Sequence, residues 1–371
     1  MLQDFKDYQW KKIDIYLVLL VIGLSYYGAQ FINSAQSNLW SRQMQGLMLG
    51  IGAMIVTALI PYNFVLKFYW LIYAACIAIL LLVRFFGDAV GTASRWIEIG
   101  GIRFQPSEMA KILLILFYAQ FIMKHKDNLN TVRVIIACVG LIIPPFYLIF
   151  AQPDLSTSIM VVVIFCVVMF VGGVSYKLVL AALLVTVPSI IIFINLVIQE
   201  GQTILTDYQR NRILAWLQPE KYAMTEAYQT SNAIMAIGSG QLTGKGLNNN
   251  MIASVKNGNF ISEAQTDFIF AVVGEEAGFI GCCVILGLLF LIVLECIMVA
   301  RKSKDLAGSI IAGGMAGLIG FQTFINIGVV TGLLPNTGLP LPFVSYGLTS
   351  LVSLLAGVGF VINVKLQTPR F

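Results

Sequence analysis

The sequence predicts an all-α polytopic membrane protein of about ten transmembrane helices, with a large, partly helical extracellular loop between the seventh and eighth. Three observations predict it. Of the 371 residues, 58% are hydrophobic and only 11% are charged, whereas a soluble domain carries about 25% charged residues. Mean hydropathy is +0.86. Apolar runs near 20 residues recur from end to end, and a helix of about 20 residues rises roughly 30 Å, the thickness of the hydrocarbon core. The whole of 1–371 reads as one integral membrane domain, with 199–266 as a loop within it. A net charge of +5 is small and suggests no nucleic-acid partner, so the basic residues are better read as topology signals.

The first apolar run follows Lys11 and Lys12 and reaches about Ile32. It is too long for a signal-peptide core, and no clear cleavage site follows, so it reads as a retained first span. The remaining spans fall near 43–60, 63–83, 106–123, 132–150, 156–171, 177–198, 267–300, 306–330 and 342–363. The fifth contains Pro144 and Pro145 and the seventh Pro188, which membrane helices tolerate when neighbours satisfy the freed carbonyls. One set of connecting segments and termini holds thirteen Lys and Arg, whereas the opposite short loops hold four: Arg42, Arg84, Arg95 and Arg103. The positive-inside rule then puts both termini in the cytoplasm and the 84–105 and 199–266 loops outside. Within the long loop, 206–217 and 226–237 read as helical, separated by Gln218-Pro219-Glu220. An ordered cap suits this pattern better than a tether. No internal repeat is evident, which weakens a repeat-built transporter.

The six cysteines all lie in apolar runs without a CxxC spacing, and His125 is the single histidine. That excludes a zinc-site pattern and leaves small buried hydrophobes.

Ionisable groups in apolar helices cost about 2.5–3.5 kcal/mol each on insertion scales, so each needs a reason. Glu108 and Lys111 are three apart in the fourth span and share a face. They are either a structural ion pair or a substrate contact. Asp154, in Gln152-Pro153-Asp154-Leu155-Ser156, suits a helix cap but lies on the outer side. Asp267 opens the eighth span in Thr266-Asp267-Phe268-Ile269-Phe270. It is either an ordinary cap or a base, because a carboxylate at a partly desolvated edge can be tuned for proton transfer. Glu275 and Glu276 follow about 12 Å deeper. They suit pairing with a Lys or Arg, or proton carriage in a transporter.

Arg210 and Arg212, in Asp207-Tyr208-Gln209-Arg210-Asn211-Arg212, are groups that hold phosphates in a bidentate way, or contact anionic headgroups. Gly238-Ser239-Gly240-Gln241-Leu242-Thr243-Gly244-Lys245-Gly246 superficially suggests a phosphate loop. It fails, because Ser239 and Gly246 stand where that motif needs Gly and Ser or Thr. A glycine-rich turn placing Lys245 near substrate is the better reading. The segment from Thr331-Gly332 through Gly338-Leu339-Pro340-Leu341-Pro342-Phe343-Val344-Ser345-Tyr346-Gly347 breaks helix repeatedly. Irregular backbone at membrane depth survives only where it is buried in protein or lines a cavity, which implies a cavity near Asp267.

These motifs together resemble the SEDS family (shape, elongation, division and sporulation), which includes RodA and FtsW. The likeness is carried by Arg95-Trp96-Ile97, Phe104-Gln105-Pro106-Ser107-Glu108 with Lys111, Gln152-Pro153-Asp154-Leu155, Asp207-Tyr208-Gln209-Arg210 and Ala236-Ile237-Gly238-Ser239-Gly240 with Gly244-Lys245-Gly246. It continues through Thr266-Asp267-Phe268-Ile269-Phe270 with Glu275-Glu276, Asn326-Ile327-Gly328, and Gly338 to Gly347. The segments cover nearly the whole chain in order. The Asp-Tyr-Gln-Arg segment and short termini look more like RodA. Two departures are Gln265, where the family often has His two before its aspartate, and Leu348-Thr349, which commonly read Gly-Ser.

The resemblance implies a ten-span peptidoglycan glycosyltransferase that polymerises lipid II outside the cytoplasmic membrane during cell elongation, with a class B penicillin-binding protein as partner. It implies an inverting displacement at the lipid pyrophosphate, the essential aspartate at Asp267 and the loop tryptophan at Trp96. The expected substrate-binding set is Arg95, Trp96, Glu108, Lys111, Asp154, Arg210, Arg212, Lys245 and Ser345. No cofactor is required by the pattern. A divalent cation, Mg or Mn, is the alternative source of charge at the pyrophosphate, although no dedicated cage is visible. The competing classes are a lipid II flippase, using the intramembrane acids, and a non-catalytic scaffold of a division or elongation complex.

Overall fold

The computed structural model describes residues 13–86, 88–90, 93–99, 102–152, 154–199, 207–225, 227–248, 261 and 264–368. The helices, in chain order, are α1 (Ile15–Ala35), α2 (Trp40–Leu59), α3 (Tyr62–Leu66), α4 (Tyr69–Phe86), α5 (Pro106–Lys124), α6 (Val132–Phe150), α7 (Leu155–Val171), α8 (Tyr176–Ile198), α9 (Asp207–Leu217), α10 (Tyr228–Ser239), α11 (Ile269–Arg301), α12 (Leu306–Val330) and α13 (Leu348–Leu366). Among the described residues, α1, α5, α6, α11, α12 and α13 are each long and apolar enough to cross a membrane. Among the described residues, α1, α2, α4, α5, α6, α7, α8, α11, α12 and α13 overlap the apolar runs read from the sequence.

Local chemistry explains many of the boundaries. Asp14, Asp154 and Asp305 cap α1, α7 and α12, each accepting a hydrogen bond from a first-turn amide. Pro106 starts α5, where its missing N–H costs nothing. The Pro144-Pro145 pair and Pro188 are carried inside α6 and α8.

Several features depart from the sequence reading. The third run is not one helix but α3 and α4, broken around Lys67 and Phe68. The segment 84–105, read as a loop, carries a three-stranded antiparallel sheet of β1 (Asp88–Val90), β2 (Ala93–Ile99) and β3 (Ile102–Phe104). The last helix begins at Leu348 rather than near 342, because Leu341, Phe343 and Val344 are buried in irregular backbone instead of in a helix.

Helices α5, α12 and α13 form the buried centre. α13 packs along α2, and α12 packs against α11, α7 and α5. Toward the rim, α8 exposes Leu180, Leu184, Val185 and Ile192, as expected of side chains facing lipid. Lys365 near the end of α13 pairs with Asp14 at the start of α1 and with Glu295 on α11, 2.9 Å away. The start of α1 and the ends of α11 and α13 therefore lie together. Asp267 precedes the start of α11, whereas Glu295 lies near its far end.

A candidate active site around Asp267

Asp267 lies in the turn that precedes α11 and is half-buried. Its neighbourhood is built by the broken segment 331–347. Asn326 of α12 donates through Nδ2 both to the Asp267 carbonyl (2.8 Å) and to the Leu339 carbonyl (2.7 Å). Ser345 Oγ donates to the Thr266 carbonyl (2.7 Å) and accepts from the Leu341 amide (2.7 Å). The Tyr346 amide donates to the Gln265 carbonyl (2.9 Å). The backbone on either side of Asp267 is thus held, and its side chain is directed at the loop. A methyl group built at Gly338 would sit 3.1 Å from Asp267 Oδ2 and 3.7 Å from Arg212 Nη1. A carboxylate and a guanidinium therefore converge on one point above a residue that has no side chain.

Arg212 reaches this point from α9, where it also donates to the Asn336 carbonyl (3.4 Å). Trp216, one turn on, donates to the Gly332 carbonyl (3.2 Å). These two contacts dock α9 onto the irregular segment, so α9 forms one wall of the site. Arg210 is directed elsewhere. It donates to the carbonyls of Val197, Ile198 and Gln199 and fastens α9 to the end of α8.

Glu108 and Lys111 are fully buried. Lys111 Nζ donates to Glu108 Oε1 (2.8 Å) and Gln322 Oε1 (2.9 Å), while Ser350 donates to Glu108 Oε2 (2.9 Å). Gln322 in turn donates to the Pro340 carbonyl (2.9 Å). The chain of contacts joins α5, α12 and α13 to the loop beside Asp267. Asp154 is buried at the start of α7, where its carboxylate accepts from the Thr157 amide (3.1 Å) and hydroxyl (2.9 Å). Ser156, two residues on from Asp154, donates to the Thr337 carbonyl, so the capped end of α7 abuts the loop.

The other expected residues are dispersed. Lys245 pairs with Glu275 of α11 at 2.8 Å. Trp96, half-buried on β2, stands opposite Asp88. Arg95 is its neighbour on that strand, and its side chain lies outside the described residues. The sheet is tied to the core by Thr349, which accepts from the Gln105 amide (3.3 Å) and donates to the Arg103 carbonyl (3.1 Å).

Sequence reasoning passed over Gln322 and Gln43 because it weighed only ionisable groups. Gln322 and Asn326 are polar residues four apart in an apolar helix, a spacing that places both on one face. Gln43, buried in α2, holds the Ser345 carbonyl (3.5 Å) and the Gly347 amide (3.4 Å). Amides buried among apolar side chains were the available signal.

With this geometry in place, comparison is decisive. The family model described as "Cell cycle protein" (FtsW, RodA and SpoVE) matches residues 7–369. The chain belongs to this family. It is 35% identical over 363 residues to the peptidoglycan glycosyltransferase MrdB of Escherichia coli K12, covering 96% of this chain and 94% of that one. It is 33% identical over 369 residues to the probable peptidoglycan glycosyltransferase FtsW of Geobacter metallireducens, covering 96% and 95%. Among solved structures, it superposes with TM-score 0.77 and 29% identity on a chain from work titled "Structural coordination of polymerization and crosslinking by a peptidoglycan synthase complex", covering 96% and 97%. The rod shape determining protein RodA of Thermus thermophilus gives TM-score 0.70 and 27% identity over 98% of both chains.

Proposed function

We propose that this chain is a RodA-like peptidoglycan glycosyltransferase that polymerises lipid II at the outer face of the bacterial cytoplasmic membrane during cell elongation, with Asp267 as the general base. The observation that carries the reading is the convergence of Asp267 and Arg212 on the space over Gly338. Ten crossings follow from the ten apolar runs, and cytoplasmic termini with an outward-facing site from the basic-residue asymmetry. The pairing of Lys365 with Asp14 and with Glu295 near the far end of α11 supports this.

The donor is a glycan on a lipid pyrophosphate and the acceptor the sugar 4-hydroxyl of a second lipid II. Asp267 takes the hydroxyl proton as the oxygen attacks the donor's anomeric carbon, and the pyrophosphate leaves from the opposite side. The bond inverts from α to β in one displacement. General-base help of this kind contributes roughly 10²–10⁴ in rate. Arg212 faces the leaving charge, where a preorganised cation is worth most because it need not reorganise as the bond breaks. Trp96 and Arg95, on the small sheet, are assigned to the sugar and its carrier. Ser345, Asp154, Glu108 and Lys111 shape the site from behind rather than touching substrate.

Among the described residues no group of three His, Cys, Asp or Glu side chains converges. The buried oxygens of Asn326, Asn336 and Thr337, which have no hydrogen-bond partner among the described residues, are hard donors of the type that Mg or Mn accepts. A cation held by such oxygens would add positive charge at the pyrophosphate.

The partner is a class B penicillin-binding protein, a reading supported by the pairing of polymerisation with crosslinking in the similar complex. A flippase is disfavoured because Glu108, Lys111, Glu275 and Glu276 are each engaged in hydrogen bonds that tie elements together. The test is polymerisation of purified lipid II by the chain and its partner in detergent, where no transmembrane gradient exists. Lengthened glycan is expected. Movement of labelled lipid II across vesicles without any lengthening overturns the reading.

A further inference from the structure

Helix α11 is broken at Gly278, whose backbone (φ 64°, ψ −162°) is not helical. In an unbroken helix the amides of Phe279 and Ile280 would donate to the carbonyls of Glu275 and Glu276. Here all four groups are satisfied by the turn that follows α10. Phe279 N–H donates to the Gln241 carbonyl (2.8 Å) and Ile280 N–H to the Leu242 carbonyl (3.1 Å). The Glu275 carbonyl accepts from the Lys245 amide (3.0 Å) and the Glu276 carbonyl from the Gly246 amide (2.9 Å). The turn is thus spliced into the helix where two rungs are missing.

The splice explains the glycines that superficially suggested a phosphate loop. Gly244 and Gly278 both have positive φ, and a side chain on Gly244 would overlap the Glu276 carbonyl. The polar side chains follow the same route. Glu275 is buried, and Lys245 reaches it from the partly exposed turn. Glu276 accepts from Ser34 at the end of α1, and Ser34 accepts from the Asn248 amide (3.2 Å). The half-helix 269–277 is therefore a separable piece. It is fastened at one end by this turn and at the other by the Asn326 and Ser345 contacts beside Asp267.

We propose that Lys245 is a positioning residue for polymerisation, setting the half-helix that begins beside Asp267 through its ion pair with Glu275. The proposal rests on the assignment of Asp267 as the base. It replaces the expectation that Lys245 meets the substrate. A base displaced by about 1 Å costs up to roughly 10²-fold in rate, and a slack half-helix displaces Asp267 without removing it.

The experiment is steady-state polymerisation of lipid II by the chain with its partner, comparing Lys245→Met, Lys245→Arg, Glu275→Gln and the double variant Lys245→Met/Glu275→Gln. Lys245→Met and Glu275→Gln are each expected to lower kcat about tenfold or more, with KM for lipid II within about twofold. The double variant is expected to be no worse than the poorer single, because both act through one contact. Lys245→Arg is expected to recover most of kcat. A raised KM at unchanged kcat, or losses that multiply in the double variant, overturns the proposal in favour of a substrate contact. Unchanged kcat per folded molecule with a lowered Tm overturns it in favour of a plain strut. Asp267→Asn is measured alongside. Full activity there removes the base assignment itself, whereas its loss combined with a normal Lys245→Met removes only the positioning role.

Discussion

Replacing Lys111 with Met tests how the site is supported from behind. Lys111 is completely buried, and its ammonium meets Glu108 at 2.8 Å and Gln322 at 2.9 Å. Met fills similar volume but leaves Glu108 as a buried carboxylate held by the Ser350 hydroxyl. Breaking a buried pair from one side costs about 3–5 kcal/mol, mostly from the stranded charge. Gln322 also loses the donor that orients its amide, and that amide holds the Pro340 carbonyl beside Asp267. Neutralising both partners in Lys111→Met/Glu108→Gln removes the stranded charge, since Gln still accepts from Ser350. The double variant is therefore expected to recover more than half of the single variant's loss. The assay is thermal unfolding of the detergent-purified protein, followed by size-exclusion fluorescence, where the single variant should melt about 5 °C or more below wild type. A single variant with unchanged Tm and a raised KM for lipid II would refute the supporting role and return Lys111 to the substrate.

Other expectations follow from the same geometry. Asp154→Asn keeps a capping oxygen for the Thr157 amide, so glycan synthesis should stay within about twofold of wild type, whereas Asp154→Ala should cost about 1 kcal/mol in thermal stability. Arg212→Ala should lower kcat for polymerisation by about 10²-fold. Arg212→Lys should recover only part of it, because an ammonium lacks the planar fork; full recovery would show that charge alone suffices. Ser345→Ala removes two hydrogen bonds of 2.7 Å. It should lower kcat severalfold with lipid II affinity preserved, measured as a split between kcat and KM.

Much of this was legible in the residues because a bilayer imposes simple rules. Apolar runs of fixed length mark helices, and Asp154 marks where one of them starts. The two helical stretches of the long loop were readable for the same reason: α9 and α10 begin and end within two residues of where the pattern put them. The small sheet was not, since strands of 3 to 7 residues are too short for alternation to declare itself. The start of α13 was missed because Leu341, Phe343 and Val344 are as apolar as a membrane helix, yet they are buried by packing against protein. The break in α11 left no mark at all. Gly278 is one glycine in an apolar run, and only the turn 241–246 coming to meet it makes the break affordable. Lys245 and Glu275 are 30 residues apart, so their pairing depends on that meeting. Asp267 was picked out by its position at the edge of an apolar helix, but Arg212 as its counterpart emerged only when α9 docked on the broken loop.

The central claim is that Asp267 removes the acceptor proton, and the most direct measurement is lipid II polymerisation by Asp267→Asn in complex with its partner. Asn keeps the size of the side chain and the backbone contacts to Asn326 and Ser345, so folding, partner binding and lipid II affinity should be preserved. Chain elongation should fall by about 10²–10⁴, and Asp267→Glu should retain part of the activity. Long glycan made by Asp267→Asn at near wild-type rate would contradict the account.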